Sequence, residues 1–272
     1  MPPTLARVTE VAHTLWPLGG AEGWDAPGLI VGDPDAEVSA IHLAVDAVLD
    51  TAAEAIDVGA QLLLVHHPLL LRGVTSIAED GYKGAVVARL IRGDVALIAA
   101  HTNADVVADG TSAVLAQRLG LRDPRPLVSS TTDPTLGLGR VGDLDEPIAL
   151  GDLARRLADV LPATAQGIRG AGDFTTPVRH VALCAGAGDS LLTHPAVQAA
   201  DVYITSDLRH HPASEARENA RLRRGPALLD ISHWAAEWLW LDVAAEALRA
   251  ALPEVTVTVS ELRTDPWDFA LV

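Results

Sequence analysis

Residues 61–68 have the sequence Gln-Leu-Leu-Leu-Val-His-His-Pro, and this short stretch decides the fold class of the chain. Four consecutive apolar residues, Leu62 to Val65, are typical of a strand that is buried on both faces of a parallel sheet. Pro68 then ends the strand, because proline has no backbone N–H to donate to a neighbouring strand. His66 and His67 are therefore expected where a central strand leaves its sheet, a position at which α/β folds commonly bind ligands.

The residues around this stretch predict a βαβ unit. Residues 41–45 alternate like a strand, residues 48–58 have the apolar spacing of a helix, and residues 62–65 form the second strand. The two strands are expected to be parallel and joined by a right-handed crossover. A further apolar strand, residues 95–100, continues directly into the motif HTNAD at residues 101–105. The predicted fold class is therefore α/β.

The second half of the chain repeats this order of elements. Residues 179–211 predict a strand, a glycine-rich turn, a short helix, a strand and then two histidines, as residues 39–67 do. The next apolar strand, residues 227–231, leads into SHWAAE, much as the earlier apolar strand leads into HTNAD. We therefore expect two related, intertwined α/β lobes that arose by internal duplication, with a metal site in the cleft between them.

The domain organisation follows from this repeat. Residues 1–124 are expected to form the first lobe, residues 125–177 a connector with one helix, and residues 178–272 the second lobe, which completes the metal site. Within the connector, LGLGRVG at 136–142 is rich in glycine but lacks the Lys-Ser/Thr of a phosphate-binding loop. We interpret it as close backbone packing, with contact between Arg140 and a ligand as the alternative.

Composition limits the classes of partner. The chain of 272 residues has a formal net charge of −16, which argues against a nucleic-acid-binding surface and disfavours anionic membranes. Its one cysteine, Cys184, cannot form an internal disulfide, as is usual in a reducing compartment. The N-terminal residues have no apolar signal core, and no apolar run approaches the roughly 20 residues of a membrane span. We expect a cytoplasmic protein that binds neither nucleic acid nor membranes.

Imidazoles and carboxylates recur at the ends of the predicted strands. Asp105 lies four residues after His101, and Glu237 lies four residues after His233. If a helix begins after the strand, residues i and i+4 share a face, so His233 and Glu237 point into one pocket. These side chains suit Zn, Mn or Fe(II), and without a thiolate a closed structural zinc site is not expected. The alternative is that both motifs are simply capped helix starts.

The most economical arrangement holds two divalent ions. Neighbouring side chains of an extended chain point to opposite sides, so His66 and His67 are expected to bind different ions. Glu237 bridges the ions, His67 and Asp105 complete one of them, and His66 and His233 complete the other. Each ion keeps open positions for water or substrate, which is typical of a catalytic site. The predicted ligands are His66, His67, Asp105, His233 and Glu237.

A set of motifs resembles the type 2 GTP cyclohydrolase I homologues, the NGG-interacting-factor-like dinuclear-metal proteins. In chain order these motifs are EGWDAPGLIVGDP, LLLVHHPLL, HTNADVVADGTSAVLAQRLGL, LGLGRVG, DVYITSDLRHH and SHWAAE. The resemblance covers most of the chain and implies the same five metal ligands. It also implies intertwined lobes and a ring-shaped homohexamer whose metal sites face an inner cavity.

The chain departs from the usual pattern of that family at three positions. Ala26 stands where the family usually has Asn, and Ser206 and Ser232 stand where it usually has Gly. None of these departures removes a proposed ligand, although each could alter the pocket.

The resulting hypothesis is a hydrolase that uses two metal ions to activate water. By resemblance its substrate is a small, nucleotide-like molecule such as GTP, and purine-ring opening is the reaction that the family name implies. The alternatives are phosphoester hydrolysis and a non-enzymatic role in metal binding or delivery. We expect His101, His210 and His211 to move protons in catalysis.

Other residues remain open at this point. Asp207, His210 and His211 are interpreted as the counterpart of the first histidine pair, where they line the pocket or are solvated loop residues. His101 either orients Asp105 or contacts substrate. Asp25 either supports the site or forms a turn.

Overall fold

The computed structural model describes residues 1–222 and 225–271 and shows a mixed α/β fold. The α-helices of these residues are α1 Leu5–Leu15, α2 Leu49–Asp57, α3 Tyr82–Arg92, α4 Thr102–Asp105, α5 Thr111–Leu119, α6 Leu150–Val160, α7 Pro195–Gln198, α8 His210–Arg221 and α9 His233–Ala251. The strands are β1 Gly28–Val31, β2 Ala40–Ala44, β3 Leu62–Val65, β4 Ala96–Ala99, β5 Arg122–Arg125, β6 Val128–Ser129, β7 Gly137–Leu138, β8 Arg140–Ala149, β9 Arg169–Ala171, β10 Pro177–Ala187, β11 Val202–Ser206, β12 Ala227–Ile231 and β13 Thr256–Val259. Among the described residues, no helix has the combination of length and hydropathy that crossing a bilayer requires.

The chain forms two compact units, each made of separate parts of the sequence. Unit 1 contains residues 1–107 and 241–264, and unit 2 contains residues 108–240 and 265–272. Helix α9 therefore begins in unit 2 and ends in unit 1. These boundaries differ from the expected segments 1–124, 125–177 and 178–272.

Unit 1 contains a five-stranded sheet with the strand order β1-β4-β3-β2-β13. Strands β13, β2, β3 and β4 are parallel, and β1 is antiparallel to β4. The predicted βαβ unit β2-α2-β3 is confirmed, and β3 has the predicted bounds, Leu62–Val65, with all four residues buried. A continuous apolar run therefore forms the central strand, as expected for a strand covered on both faces.

Helices α2 and α3 supply part of the core of unit 1. Ala52 and Ala55 of α2 belong to the same buried cluster as Leu63 and Leu97 of the sheet and Leu90 of α3. Burial of such apolar side chains contributes about 25 cal/mol per Å² of apolar surface removed from water. This core fixes the strand from which His66 and His67 follow.

Unit 2 contains a six-stranded sheet with the strand order β5-β8-β10-β11-β12-β9. Strands β10, β11 and β12 are parallel, whereas β5, β8 and β9 join by antiparallel pairing. Residues 125–177, expected to be a connector with one helix, do contain helix α6, but they also supply strands β8 and β9. The prolines and the Ser/Thr cluster near residue 130 favour a connector, and the first three residues of β8 are the end of the glycine-rich motif.

The register of the two sheets shows the internal repeat. Leu62 pairs with Ala96 in unit 1, and Val202 pairs with Ala227 in unit 2. From this match, β1, β2, β3 and β4 correspond to β9, β10, β11 and β12, with the same order and the same directions. The predicted duplication therefore has a direct counterpart in strand topology.

Two details repeat at equivalent positions. The Gln61 side-chain oxygen accepts from the backbone N–H groups of Ser39 and Ala40, each at 3.0 Å. In unit 2, Asp201 accepts in the same way from the backbone N–H groups of Arg179 and His180, each at 2.8 Å. In both units this side chain fixes the start of the strand that precedes the first crossover.

A glycine with positive φ also recurs at the same point. Gly32 has φ of 135° and Gly172 has φ of 153°. A Cβ at Gly32 would lie 2.7 Å from Cβ of Ala96, and one at Gly172 would lie 3.0 Å from Cβ of Ala227. The loop after the antiparallel edge strand therefore passes close to the start of its neighbour, and only glycine fits there without strain.

Candidate functional site

Three imidazoles converge in unit 1. His66 and His67 follow β3 directly, and His101 follows the neighbouring parallel strand β4. One ring nitrogen from each lies within 4.8 Å of the others, and the ring centroids are 5.1 to 5.5 Å apart. The structure thus brings His101, expected to be catalytic, together with the two histidines expected to bind metal.

The Nδ1 atom of each imidazole is hydrogen-bonded to an oxygen. His66 Nδ1 lies 2.8 Å from the carbonyl oxygen of Ala100, and His67 Nδ1 lies 2.7 Å from Oδ1 of Asp46. His101 Nδ1 lies 2.7 Å from Oδ1 of Asp25. A carbonyl or carboxylate oxygen only accepts, so these contacts assign the ring proton to Nδ1. Each Nε2 then carries the lone pair that a metal ion requires.

Asp25 holds His101 through a buried network. Its Oδ2 accepts from the Thr102 backbone N–H at 3.0 Å and from the Thr102 hydroxyl, while Thr102 Oγ1 accepts from the backbone N–H of Glu22 at 2.9 Å. Burial acts to raise the pKa of Asp25, but hydrogen bonds from Thr102 and His101 outweigh it and lower that pKa. The carboxylate is therefore ionised at neutral pH.

His101 is correspondingly held as a neutral imidazole. Burial and the neighbouring His66 lower its pKa, and together they outweigh the opposing effect of Asp25. A neutral ring with Nδ1–H directed to a carboxylate keeps its Nε2 unprotonated at neutral pH. This nitrogen is suited either to bind a metal ion or to accept a proton.

Asp105 adds a carboxylate to this group. It lies at the end of the short helix α4, where its backbone N–H donates to the carbonyl of His101 at 3.1 Å. Its Oδ1 is 3.7 Å from Nε2 of His66, and its side chain is 14% exposed. Unit 1 therefore assembles three of the five predicted ligands, namely His66, His67 and Asp105, and adds His101.

Unit 2 contains the other two predicted ligands. His233 begins α9, and its Nε2 lies 3.0 Å from Oε1 of Glu237, which is one turn later and almost fully buried. His233 Nδ1 lies 2.7 Å from Oδ2 of Asp207. The predicted i,i+4 arrangement on a shared helix face is confirmed.

The charges around His233 favour a cation. Burial opposes protonation of this imidazole, but the carboxylates of Glu237 and Asp207 outweigh it and raise the pKa of His233 well above its ordinary value. Two carboxylates that flank one imidazole stabilise positive charge at this point, whether the charge is a proton or a metal ion. The donor set is therefore compatible with a divalent cation.

Gly186 leaves room for this pair. It has φ of 80°, and a Cβ built at this position would lie 2.5 Å from Oε1 of Glu237 and 3.4 Å from Nε2 of His233. Its carbonyl accepts from the Thr205 hydroxyl at 3.1 Å, near the end of β10 where the pairing with β11 is irregular. The glycine-rich segment predicted as a turn therefore belongs in part to β10, and Gly186 forms one wall of the ligand pair.

The pairing register of the strands in the two sheets corrects the expectation about His210 and His211. If Leu62 corresponds to Val202, then His66 and His67 correspond to Ser206 and Asp207 and not to the pair His210–His211. The backbone turns at Asp207, where φ is 57°, and α8 begins at His210. Of Asp207, His210 and His211, which were interpreted together as the counterpart of the first histidine pair, the register places only Asp207 at an equivalent position.

His210 and His211 lie on the exposed first turn of α8. Their rings contact each other at 5.2 Å between centroids, and neither ring is hydrogen-bonded within the described part of the chain. Asp207, by contrast, is placed against His233. A catalytic role for the two exposed histidines stays a prediction.

The glycine-rich motif packs closely around Arg140. Arg140 is 3% exposed and donates to the carbonyls of Gly137 at 2.7 Å and Gly139 at 2.8 Å, in agreement with the packing interpretation of this motif. Contact between Arg140 and a ligand stays the alternative.

Sequence reasoning missed the carboxylate of Asp46 and its partner. Asp46 Oδ2 accepts from the Thr264 hydroxyl at 2.5 Å, while Oδ1 accepts from His67. Asp46 lies two residues after the end of β2, and His67 lies two residues after the end of its parallel neighbour β3, with Ala44 paired to Val65. This position after the end of a neighbouring parallel strand is the sequence feature from which Asp46 could have been predicted to lie near the histidines. Thr264 left no signal, because it lies in an irregular segment distant in sequence.

Comparisons with known proteins agree on one family. A family model described as Duf34/NIF3 (NGG1p interacting factor 3) matches residues 3–266. A curated relative from Streptomyces coelicolor, named GTP cyclohydrolase 1 type 2 homolog, is 48% identical over 97% of this chain and 94% of its own length. A relative of the same name from Mycobacterium leprae is 33% identical over 97% of this chain and 95% of its own length.

Solved structures share the fold. The structure of a Bacillus cereus protein related to NIF3 has a TM-score of 0.90 at 22% identity, covering 99% of this chain and 100% of that chain. A Staphylococcus aureus hypothetical protein has a TM-score of 0.85 at 27% identity, with coverage of 99% and 100%. From the matched family model and the 48% identical relative, the chain belongs to the Duf34/NIF3 (NGG1p interacting factor 3) family.

Proposed function

We propose that this protein is a metal-dependent hydrolase with two divalent ions per chain, held by His66, His67, Asp105, His233 and Glu237. The observation that carries the proposal is the group of three imidazoles whose Nδ1 atoms are all hydrogen-bonded to oxygen acceptors. This pattern is typical of metal-binding histidines, whose other ring nitrogen is held by a carboxylate or carbonyl.

The choice of two ions is supported by donor chemistry. His66 and His67 have different Nδ1 partners, and Glu237 is a buried carboxylate whose two oxygens suit a bridging role. Imidazole and carboxylate donors suit Zn, Fe(II) or Mn. Ions held by these residues would supply a water of lowered pKa and would polarise the substrate.

The chain itself supplies proton transfer and orientation. His101 has a lowered pKa and an ionised partner, Asp25, so its neutral Nε2 is suited to accept a proton near neutral pH. Asp25 keeps the ring in one tautomer, as a carboxylate does for a catalytic histidine in general. His210 and His211 are the further candidates for proton transfer.

The proposed substrate is a small, nucleotide-like molecule. Support comes from the printed name of the curated relatives, GTP cyclohydrolase 1 type 2 homolog, which describes those proteins. We further propose a cytoplasmic homohexamer that binds neither nucleic acid nor membranes. The net charge of −16 supports the last part of this proposal.

Metal content measured on protein purified without chelator tests the proposal. We expect about two Zn, Fe or Mn ions per chain, and Glu237→Ala should lower the occupancy of both because Glu237 is the proposed bridge. His180 is a matched control, since its Nδ1 contacts Asp143 at 2.6 Å but it lies outside both ligand groups. His180→Ala should keep full metal content, whereas fewer than one ion per wild-type chain would contradict the proposal.

Turnover of the metal-loaded protein against a panel of nucleotides and phosphoesters tests the reaction class. We expect His67→Ala to abolish turnover while the circular dichroism spectrum stays unchanged. Transfer of metal to an acceptor protein without turnover of any substrate would instead show the metal-delivery function.

A further inference from the structure

Two consecutive residues, Thr264 and Asp265, each support one of the two ligand groups. Thr264 is the last residue of the second part of unit 1, and Asp265 begins the last part of unit 2. Both belong to an irregular segment that follows β13. The sequence gives no reason to connect this segment with the candidate metal ligands.

Thr264 acts through Asp46. Its hydroxyl donates to Oδ2 of Asp46 at 2.5 Å, and the other oxygen of that carboxylate accepts from Nδ1 of His67 at 2.7 Å. These two groups are the hydrogen-bond partners of the Asp46 side chain within the described residues. The Thr264 hydroxyl therefore orients the carboxylate that sets the ring position and the tautomer of His67.

Asp265 acts through the start of α9. Its Oδ2 accepts from the Ser232 hydroxyl at 2.5 Å, and Ser232 Oγ in turn accepts from the backbone N–H of Ala235 at 3.1 Å. Ser232 is thus the N-terminal cap of the helix that begins with His233. Asp265 and Ser232 are 8% and 2% exposed, so this capping contact is buried.

We infer that Thr264 and Asp265 are positioning residues that hold the ligands of the two groups in binding geometry, Thr264 through Asp46 for His67 and Asp265 through Ser232 for His233 and Glu237. The inference rests on the proposed metal-binding function. Loss of a hydrogen-bond partner behind a metal ligand typically costs 10–100-fold in metal affinity.

Substitution of Thr264 tests the first support. Thr264→Val removes the hydroxyl at nearly constant volume, whereas Thr264→Ser keeps it. We expect Thr264→Val to weaken Zn²⁺ binding about 10-fold, measured by competition with a chromophoric chelator, and Thr264→Ser to bind like wild type. Thr258→Val is the control, because the Thr258 hydroxyl contacts His42 at 2.8 Å and lies outside both ligand groups.

A second readout separates positioning from general stability and needs no metal. In metal-free protein, ¹⁵N chemical shifts of the His67 ring should show one tautomer with the proton on Nδ1 in wild type. Thr264→Val should show a mixture of tautomers, and Thr264→Ser should not. A His67 spectrum unchanged by Thr264→Val would overturn the role of Thr264.

Substitution of Asp265 tests the second support. Asp265→Asn keeps a side-chain oxygen that accepts from Ser232, and Asp265→Ala does not. We expect Asp265→Ala to weaken Zn²⁺ binding about 10-fold and Asp265→Asn to restore most of it, with the exposed Asp268→Ala as control. Wild-type affinity in Asp265→Ala would overturn this part of the inference.

Failure of wild-type protein to bind Zn²⁺ would refute the proposed function instead, and the metal-free His67 spectra would still decide the role of Thr264.

Discussion

Substitution of Gly186 by alanine probes the geometry of the unit 2 ligand pair directly. The new Cβ would lie 2.5 Å from Oε1 of Glu237, whereas ordinary van der Waals contact begins at 3.4 Å. The carboxylate must therefore move by nearly 1 Å, away from its position 3.0 Å from Nε2 of His233. In addition, φ of 80° costs a non-glycine residue about 1–2 kcal/mol.

The two effects can be separated with a matched control. Gly167 also has positive φ, at 60°, but a Cβ there meets nothing within 4 Å. Urea unfolding of metal-free protein should show a loss of about 1 kcal/mol for Gly167→Ala and a larger loss for Gly186→Ala. Only Gly186→Ala should weaken Zn²⁺ binding, by about 10-fold or more, since it alone displaces a ligand. Equal Zn²⁺ affinities for the two variants would refute this account of the site.

Three further substitutions give distinct results. Hydrogen bonds hold the pKa of Asp25 below its ordinary 3.8, so its ionised form stabilises the fold above that pH, and this stability is lost as pH falls through the lower folded pKa. Asp25→Asn should therefore lower the unfolding free energy of metal-free protein by about 1.5–3 kcal/mol at pH 7. It should also make the unfolding free energy less dependent on pH below 4, and the same dependence as in wild type would contradict this. In urea unfolding, Gly32→Ala should lose more stability than Gly172→Ala, because the new Cβ would lie 2.7 Å from the neighbouring alanine at Gly32 but 3.0 Å from it at Gly172. A larger loss for Gly172→Ala would argue against equivalent packing at the two positions. Arg140→Gln should cost about 1.5–3 kcal/mol in urea unfolding without changing Zn²⁺ affinity, and weaker metal binding would favour the ligand-contact alternative.

The part of the fold that could be predicted from the sequence is the part encoded locally. A continuous apolar run such as Leu62–Val65 needs burial on both faces, so its residue types alone predict a buried central strand. Strand β8 could not be found in this way, because its residues include Gly142, Asp143 and Pro147. It is a strand because it pairs with β10 and β5, and such pairing is a tertiary effect that overrides local propensity.

The candidate site shows the same division. His66, His67 and the His233–Glu237 pair were found because strand ends and i,i+4 spacing are properties of the sequence itself. The grouping of His101 with the first two depended on which strands are neighbours. The support of His67 by Asp46 and Thr264 depends on a contact between residues 218 positions apart, which no local pattern encodes.

The sequence alone predicts the wrong counterpart of the first histidine pair, because residue identity carries no information about strand register. Each half of the chain has two adjacent histidines shortly after a strand, and this similarity suggests that the two pairs correspond. Strand pairing assigns Ser206 and Asp207 to those positions instead, and Asp207 contacts His233 as a hydrogen-bond acceptor. The repeat therefore conserves the frame of strands while the side chains at equivalent points have different roles.

The discontinuity of unit 1 has a consequence for synthesis on the ribosome. Strand β13 pairs with β2, yet it leaves the exit tunnel only after every described strand of unit 2 has emerged. Until then the nascent first sheet has an open edge at β2, with unpaired amide and carbonyl groups that can pair with foreign strands. Chaperones that shield nascent chains should therefore matter most for this protein while unit 2 is being synthesised and β13 has yet to emerge.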